Sequence, residues 1–363
     1  MTFGELTKKI EEARLAYYGP GQPIMTDSEY DRLEEELRKA EPEHWLLKSV
    51  GAPPGDNGWE KVKHSVVMGS LNKAQTSEEV EKWAQKAPGQ GVFLTEKFDG
   101  LSCLLSYKNG DLVRGATRGD GTIGEDITRN VSLMKGVQIR LQGEYANWSG
   151  HLRGEIVCLK SDHTKYFPGD SNPRNTASGT AKRQSDPEKC RHLTVFIYQV
   201  LPDTRIIPSK AQELFEAGRM GFFVPPYKIF QSLEEVETEY QRYIKERKNI
   251  DYDIDGLVLE FNDTRIVEQL GERDGRPKGA VAYKFPHEMA ETKIEDVIWQ
   301  VGNSGRITPV AIFQEVFLDG ARITRASLHT AERFKKLKLK RGDRILVSRR
   351  NAVIPYVESN FDA

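Results

Sequence analysis

The sequence predicts an α+β protein in three parts, and three observations carry that expectation. Apolar residues near the N-terminus recur at helical spacing, the middle of the chain alternates short β-rich runs with turns, and regularly spaced strands follow residue 293. In the first part, assigned to residues 1–50, Leu6, Ile10, Ala13 and Tyr17 share one helical face, which PGQP at 20–23 ends. A second helix begins near TDSEYDRLEEEL, with Thr26 or Asp27 as N-cap, so the part reads as a helical hairpin. VGAPPGDNG (50–58) reads as the linker after it.

The second part spans 51–292. LSCLLSY, HLRGEIVCL, LTVFIYQV, DGLVLEF and AVAYKFP read as strands of an antiparallel sheet, with helices over 209–219 and 232–247. In the third part, 293–363, ITPVAIFQEVFL, ARITRASLH and DRILVSRR suggest a small barrel such as an OB-fold. That barrel is expected to be incomplete, because VIPYVESNFDA is the last of the chain.

Charge is nearly balanced, 53 Lys and Arg against 54 Asp and Glu, so any nucleic-acid partner has to be met by a local basic patch. Three cysteines, far apart and odd in number, argue for a reducing compartment rather than a disulfide scaffold. No CxxC pair occurs, and no zinc is expected in this chain. Without a signal-peptide core or a long apolar run, the expectation is a soluble, cytoplasmic protein that does not enter a membrane.

LTEKFDGLSCLL (94–105) is apolar enough for a strand, yet it holds Glu96, Lys97 and Asp99. With 94–100 as a strand, Thr95, Lys97 and Asp99 share one face and Glu96 takes the other. A lysine in such a strand can serve as a nucleophilic amine, with a nearby carboxylate to orient it or hold a metal. The plainer alternative is a solvated Lys–Asp pair on an edge strand. Other islands favour the first reading. ATRGDGTIGED (116–126) sets Arg118 among glycines, LRGEIV (152–157) puts Arg153 and Glu155 on one strand face, and YDIDGLVLEF (252–261) places a carboxylate before Gly. AVAYKFP carries a second strand lysine, Lys284, and NPRNTASGTAKRQ (172–184) is a polar segment with Arg174, Lys182 and Arg183, whose plainer alternative is a solvated surface loop. Together they suggest a pocket for an anionic, nucleotide-like ligand.

KFDG (97–100), TRGDG (117–121), RGE (153–155), DIDG (253–256) and AYKFP (282–286), in this order, resemble the NAD+-dependent DNA ligases. KxDG alone is shared by all covalent nucleotidyltransferases. GDGTIGEDITRNV (119–131), NPRN (172–175), QVGNSGRITPVA (300–311) and YYGPGQPIMTDSEYDRL (17–33) are more specific to the NAD+ branch. The resemblance runs from about residue 5 to 358. It implies an antiparallel-sheet nucleotidyltransferase domain, unrelated to ATP-grasp, between a module that binds nicotinamide mononucleotide and an OB-fold.

It further implies that Lys97 attacks NAD+, forming lysyl-AMP and releasing nicotinamide mononucleotide, and that AMP passes to the 5′-phosphate of a DNA nick before the 3′-hydroxyl seals it. By similarity, Asp99 lies beside the lysine, Arg118, Arg247 and Lys284 are the cations around the adenylate, and Glu155 binds ribose. Asp99 and Asp255 would be carboxylates on the side of a Mg2+ ion. Ser70 and Leu71 match a stretch lining the adenosine pocket, and Tyr17, Asp27, Tyr30 and Asp31 match positions for nicotinamide mononucleotide.

Three positions depart from the family pattern: Tyr18 replaces His, Thr95 replaces Glu two residues before the lysine, and Glu260 replaces the lysine that ends DGLVLE. Glu260 is therefore not among the expected binding residues. The family continues into a zinc finger and further domains, so the chain is expected to be a fragment or one half of a split enzyme, with a second polypeptide as a potential partner. Nicked duplex DNA is the expected substrate, met by the basic run Lys335, Lys336, Lys338, Lys340, Arg341, Arg344, Arg349 and Arg350. Two alternatives stand beside this reading. One is an ATP-dependent ligase or capping-type enzyme, against which the N-terminal Tyr/Asp module argues. The other is a non-catalytic nucleotide- or DNA-binding subunit, against which the intact Lys97, Asp99, Arg118, Glu155 and Lys284 argue.

Overall fold

The computed structural model describes residues 3–18, 24–25, 27–42, 44–48, 58–286, 289–301, 307–318, 321–350 and 354–363. The chain divides into two units, residues 43–285 and residues 1–42 with 286–363. The linker VGAPPGDNG lies outside the described residues except for Gly58.

In residues 1–42, helices Phe3–Tyr18 and Asp27–Ala40 form the expected hairpin. Ile10, Ala13, Leu33 and Leu37 are buried along the helical stripe that their spacing foretells. The buried Arg14 crosses to Glu34 at 3.1 Å, so the charge taken out of water is paired.

Five strands make one curled sheet in residues 289–360, consistent with an OB-fold. Their order is Ala321–Ser327, Ile307–Leu318, Met289–Val301, Arg344–Arg350 and Ile354–Asn360. Ile294, Ala311, Phe313, Ile323, Ile345, Val347 and Val357 fill its concave side. The long first strand eludes the sequence reading because Glu291, Lys293 and Glu295 occupy its solvent face.

Residues 58–285 carry two larger sheets. The first has the order Asn72–Ala74, Ala280–Lys284, Ile254–Phe261, Val92–Phe98 and Tyr227–Phe230. It is antiparallel except for the pairing of Asn72–Ala74 with Ala280–Lys284, which is parallel. The second is wholly antiparallel, with the order Asp111–Thr117, Leu101–Lys108, Gly150–Cys158 and Leu193–Pro202. Every run read as a strand in this part of the sequence is one. The two expected helices appear as Lys210–Arg219 and Leu233–Glu246, each opened by a serine N-cap, and Ser232 with Glu235 completes a capping box.

Two local expectations are corrected. The strand read as 94–100 ends at Phe98, and Asp99 and Gly100 turn the chain into Leu101–Lys108. A β-carbon on Gly100 would lie 2.2 Å from the Ile156 carbonyl oxygen, so this crossing between sheets demands glycine. For NPRNTASGTAKRQ the solvated-loop alternative gives way to a helix. Asn172 caps a helix over Pro173–Ala181, Pro173 takes its first turn, and Ala177 and Ala181 are fully buried.

One face of the first sheet is core. Leu94, Leu257, Leu259, Phe261, Val281 and Tyr283 pack against Val80 and Trp83 of helix Ser77–Ala84 and against Val236, Tyr240 and Tyr243 of helix Leu233–Glu246. Trp83 stacks on Phe261 at 4.6 Å, and its Nε1–H donates to the Lys278 carbonyl. Phe261→Ala should therefore cost about 3–5 kcal/mol in urea unfolding, with no change of fold by circular dichroism.

Candidate active site

The other face of the first sheet carries the charges. Lys97 stands opposite Gly256, and Gly256 in turn opposite Lys284, so both lysines project from the same face. The register slips between Ile254 and Gly256, which leaves Asp255 as an extra residue beside Gly256 and opposite Lys97. Such a bulge re-aims a side chain, and Gly256 offers no side chain to compete with it. The Asp255 carboxylate lies 3.0 Å from Lys97 Nζ and 2.6 Å from Lys284 Nζ. Burial would raise this carboxyl, but Lys284 and Lys97 outweigh burial and hold it below the usual carboxylate range.

Asp99 follows the end of the lysine strand, its N–H donating to the Asp253 carbonyl. Its carboxylate accepts Arg174 Nη1 at 2.8 Å. Burial raises the Asp99 carboxyl, Arg174 and the two lysines oppose the rise, and Asp255 adds to it. Glu155, on strand Gly150–Cys158, accepts the Ser102 hydroxyl at 2.7 Å. Burial pushes its carboxyl up to about 7, against the pull of that hydrogen bond and of Lys97, Arg118 and Arg174.

Arg118 follows strand Asp111–Thr117, with its N–H on the Ser102 carbonyl and its own carbonyl 3.0 Å from His64 Nε2. Its field reaches Glu155. Arg247 caps the C-terminus of helix Leu233–Glu246 and lies over the Phe285 ring at 5.0 Å. Ser70 and Leu71 are half-buried, immediately before edge strand Asn72–Ala74. Lys97, Asp99, Arg118, Glu155, Asp255 and Lys284 thus share one electrostatic neighbourhood within residues 58–285.

The hairpin residues divide differently. The side chains of Tyr17, Asp27 and Asp31 lie outside the described residues, as does that of Tyr18. Tyr30 is described: its hydroxyl takes a hydrogen bond from Arg14 Nε and donates to Glu34 at 3.0 Å. Burial, then Glu34, raises its phenol well above the ordinary tyrosine value.

Four side chains of this neighbourhood escape the sequence reading. Arg174 is one of three cations in NPRNTASGTAKRQ, and nothing in the sequence pairs it with Asp99. Tyr198 is left unpaired by a register slip between Arg153 and Gly154, and it lies in the fields of Glu155 and Arg153. Ser102 gives no signal before its partner Glu155 is known. Lys210, buried at 3% exposure, pairs with Glu213 at 3.0 Å and reaches Glu260 at 3.5 Å. Glu260 therefore has its compensating cation, supplied by a helix 50 residues earlier in the chain. Glu96 lies on the core face as its alternation requires, where the Tyr252 hydroxyl donates to it at 2.5 Å.

Among the described residues no group of three or more His, Cys, Asp or Glu suits a metal. Asp99 and Asp255 are two carboxylates in one field, which fits the habit of Mg2+ of taking one or two carboxylates and completing its shell with substrate phosphate and water. In the basic run, Arg344 is engaged by Asp362 at 3.1 Å and Glu291 at 3.7 Å. Lys335, Lys336, Lys338, Lys340 and Arg341 are exposed. The side chains of Arg349 and Arg350 lie outside the described residues. Among the described residues, no helix is long and apolar enough to cross a membrane.

Glu155 makes stability depend on pH. Because its carboxyl is raised to about 7 in the folded chain, the native state keeps a proton that the unfolded state has already lost. Its contribution is fully present below the ordinary glutamate range and is lost as pH rises through about 7. Urea unfolding of the nucleotide-free protein between pH 5 and 8, wild type minus Glu155→Gln, should show wild type losing stability with rising pH relative to the variant.

Comparison with known proteins gives three family matches in chain order. Residues 2–54 match the DNA ligase-like N-terminal NAD+-binding domain, 56–288 the NAD-dependent DNA ligase adenylation domain, and 291–362 the NAD-dependent DNA ligase OB-fold domain. A DNA ligase of Sorangium cellulosum is 40% identical over 98% of this chain and 55% of its own length. DNA ligase 1 of Nocardia farcinica is 38% identical over 99% of this chain and 55% of its own length. The chain thus spans about half the length of the curated relatives it matches. Among solved structures, a Lig E DNA ligase covers 81% of this chain and all of its own at 12% identity, with a TM-score of 0.46. Two strand lysines share the Asp255 carboxylate in a chain whose three parts all match one family, and the chain belongs to the NAD-dependent DNA ligases.

Proposed function

We propose that this chain performs the adenylation half of NAD+-dependent nick sealing, with residues 1–50 gripping nicotinamide mononucleotide, 51–292 carrying the chemistry and 293–363 contacting DNA. The observation that carries the reading is Lys97 Nζ at 3.0 Å from an Asp255 carboxylate that also binds Lys284. Lys97 Nζ attacks the adenylyl phosphorus of NAD+. A P–N bond forms, the P–O bond of the pyrophosphate breaks, and nicotinamide mononucleotide leaves with a free phosphate. The Asp255 carboxylate holds Lys97 Nζ in place, the amine's proton passes to solvent, and Lys284, Arg118 and Arg247 offset the charge that gathers on the phosphate oxygens.

Asp99 and Asp255 would hold Mg2+, which supplies further neutralisation of phosphate charge when bound. Glu155 accepts from the ribose hydroxyls, and Ser70 and Leu71 flank adenosine. Tyr17, Asp27, Tyr30 and Asp31 offer an aromatic ring and anions to the cationic pyridinium. AMP then passes to the 5′-phosphate of a nick, and the neighbouring 3′-hydroxyl displaces it. Because the chain spans 55% of its Sorangium relative, sealing is a step to measure with and without the relatives' remaining segments, whether these come in one chain or as a second polypeptide. Three free, buried cysteines suit a reducing cytoplasm.

The test is incubation with Mg2+ and NAD+ labelled in its adenylyl group, in parallel with labelled ATP. Label from NAD+ on wild type and none on Lys97→Ala supports the reading. Label from ATP alone refutes the NAD+ assignment, and label from neither favours a non-catalytic binding subunit. In the same protein, changing Lys335, Lys336, Lys338 and Lys340 to Gln should weaken binding to nicked duplex. The slope of log K against log salt should become shallower by about 0.9 for each phosphate no longer neutralised.

A further inference from the structure

The face that carries Lys97 continues for two more strand positions, to a second group of charges. Gly256, Val258 and Glu260 alternate onto it, and Thr95, directly opposite Val258, shares it. On the neighbouring strand the residues opposite Val258 and Glu260 are Ala282 and Ala280. Val258, Thr95 and Ala282 thus floor the interval between the Lys97 and Lys284 ammonium groups at one end and Glu260, flanked by Ala280 and Phe93, at the other. Val258 and Glu260 keep partial exposure while Leu257, Leu259 and Phe261 behind them are buried. From Gly256 to Glu260 is four residues, about 13 Å of strand, which suits a nucleotide whose phosphate is at the lysines and whose base is beyond them.

The far end is built as tightly as the near end. Lys210 Nζ, buried between Glu213 and Glu260, lies 3.5 Å from Glu260 Oε1. One lysine contact leaves this carboxylate with acceptor capacity to spare. Arg153 brings the facing sheet to the same end. It donates from Nη1 to Gln199 at 2.7 Å and from Nη2 to the Val67 carbonyl at 2.5 Å, and Glu260 and Glu213 lie in its field. Val67 is three residues before Ser70, so the segment expected to flank adenosine is tied to the Glu260 end.

We infer that Glu260, steadied by Lys210, reads the base of the bound nucleotide by accepting a hydrogen bond from the exocyclic 6-amino group of adenine. The inference rests on the adenylation reading above and adds to it a residue that sets base specificity. It also bears on Thr95, which replaces a glutamate of the family pattern: an acidic side chain is provided instead from the adjacent strand, diagonal to Thr95 on the same face. An anion at the phosphate end would repel the ligand, whereas an anion at the base end selects for a donor.

The test measures equilibrium binding of AMP and of purine riboside 5′-monophosphate, which lacks only the 6-amino group, to wild type, Glu260→Ala and Glu260→Gln. Wild type should bind AMP roughly 10- to 100-fold more tightly than the deamino nucleotide, as a hydrogen bond to a charged acceptor requires. In Glu260→Ala the two affinities should converge to within about threefold, and Glu260→Gln, which keeps a neutral acceptor of the same shape, should fall between. Equal affinities in wild type, or an undiminished preference in a Glu260→Ala protein that still unfolds cooperatively, would overturn the inference. Lysyl-AMP formation from NAD+ in the same samples reports separately on adenylation, since binding discrimination does not need the covalent step.

Discussion

Two ammonium groups held against one carboxylate are the constraint that organises this site. Lys97 and Lys284 come from strands on either side of Ile254–Phe261, and without an anion between them they would repel across a half-buried space. The bulge at Asp255 supplies that anion from the middle strand. One negative charge cannot neutralise two positive ones, and Asp99 is already engaged by Arg174. Glu155, raised to about 7, is a poor counter-charge near neutrality. The cluster therefore keeps a positive surplus in the nucleotide-free state, the condition an anionic phosphate would relieve.

The apolar face of the same sheet makes this arrangement sustainable. Trp83, Tyr240, Tyr243 and Phe261 fix the strands from behind, so the lysines and Asp255 are positioned by a packed core rather than by their own flexible stems. Helix Pro173–Ala181 does the same for Arg174: its buried alanines anchor the segment and its N-terminal turn delivers the guanidinium to Asp99. The two charge groups on this face are thus held by different elements, Lys97, Asp255 and Lys284 by bulge and strands, and Glu260 by Lys210 at the start of helix Lys210–Arg219.

Much of this was legible in the sequence, for a physical reason. Lysines and carboxylates inside apolar, β-rich runs are costly unless they have work to do, so Lys97, Glu155, Asp255 and Lys284 stand out without coordinates. Arg174 does not, because TASGTA makes a helix through small residues and an Asn cap rather than through a strong apolar stripe. Tyr198 reaches the site through a slip of one residue, which period-two reasoning cannot foresee. Glu260 looks like a defect in a linear reading because its cation, Lys210, comes from another element. The end of the strand at Phe98 depends on Gly100 meeting the Ile156 carbonyl, a contact between sheets. The helical hairpin was plain from spacing, yet Tyr30 is engaged by Arg14 and Glu34, partners that spacing alone did not assign to it.

Asp255, by way of its bulge, is the group we hold responsible for orienting Lys97 for attack. The sharpest measurement of that role is the single-turnover rate of Lys97–AMP formation from NAD+ in Asp255→Asn, followed by rapid quench alongside the affinity for AMP. The rate should fall by about 100-fold or more in a protein that still unfolds cooperatively and whose AMP affinity stays within about tenfold of wild type. A rate within about threefold of wild type would refute the role, and would leave the Asp255 contacts as a structural ion pair with no part in the chemistry.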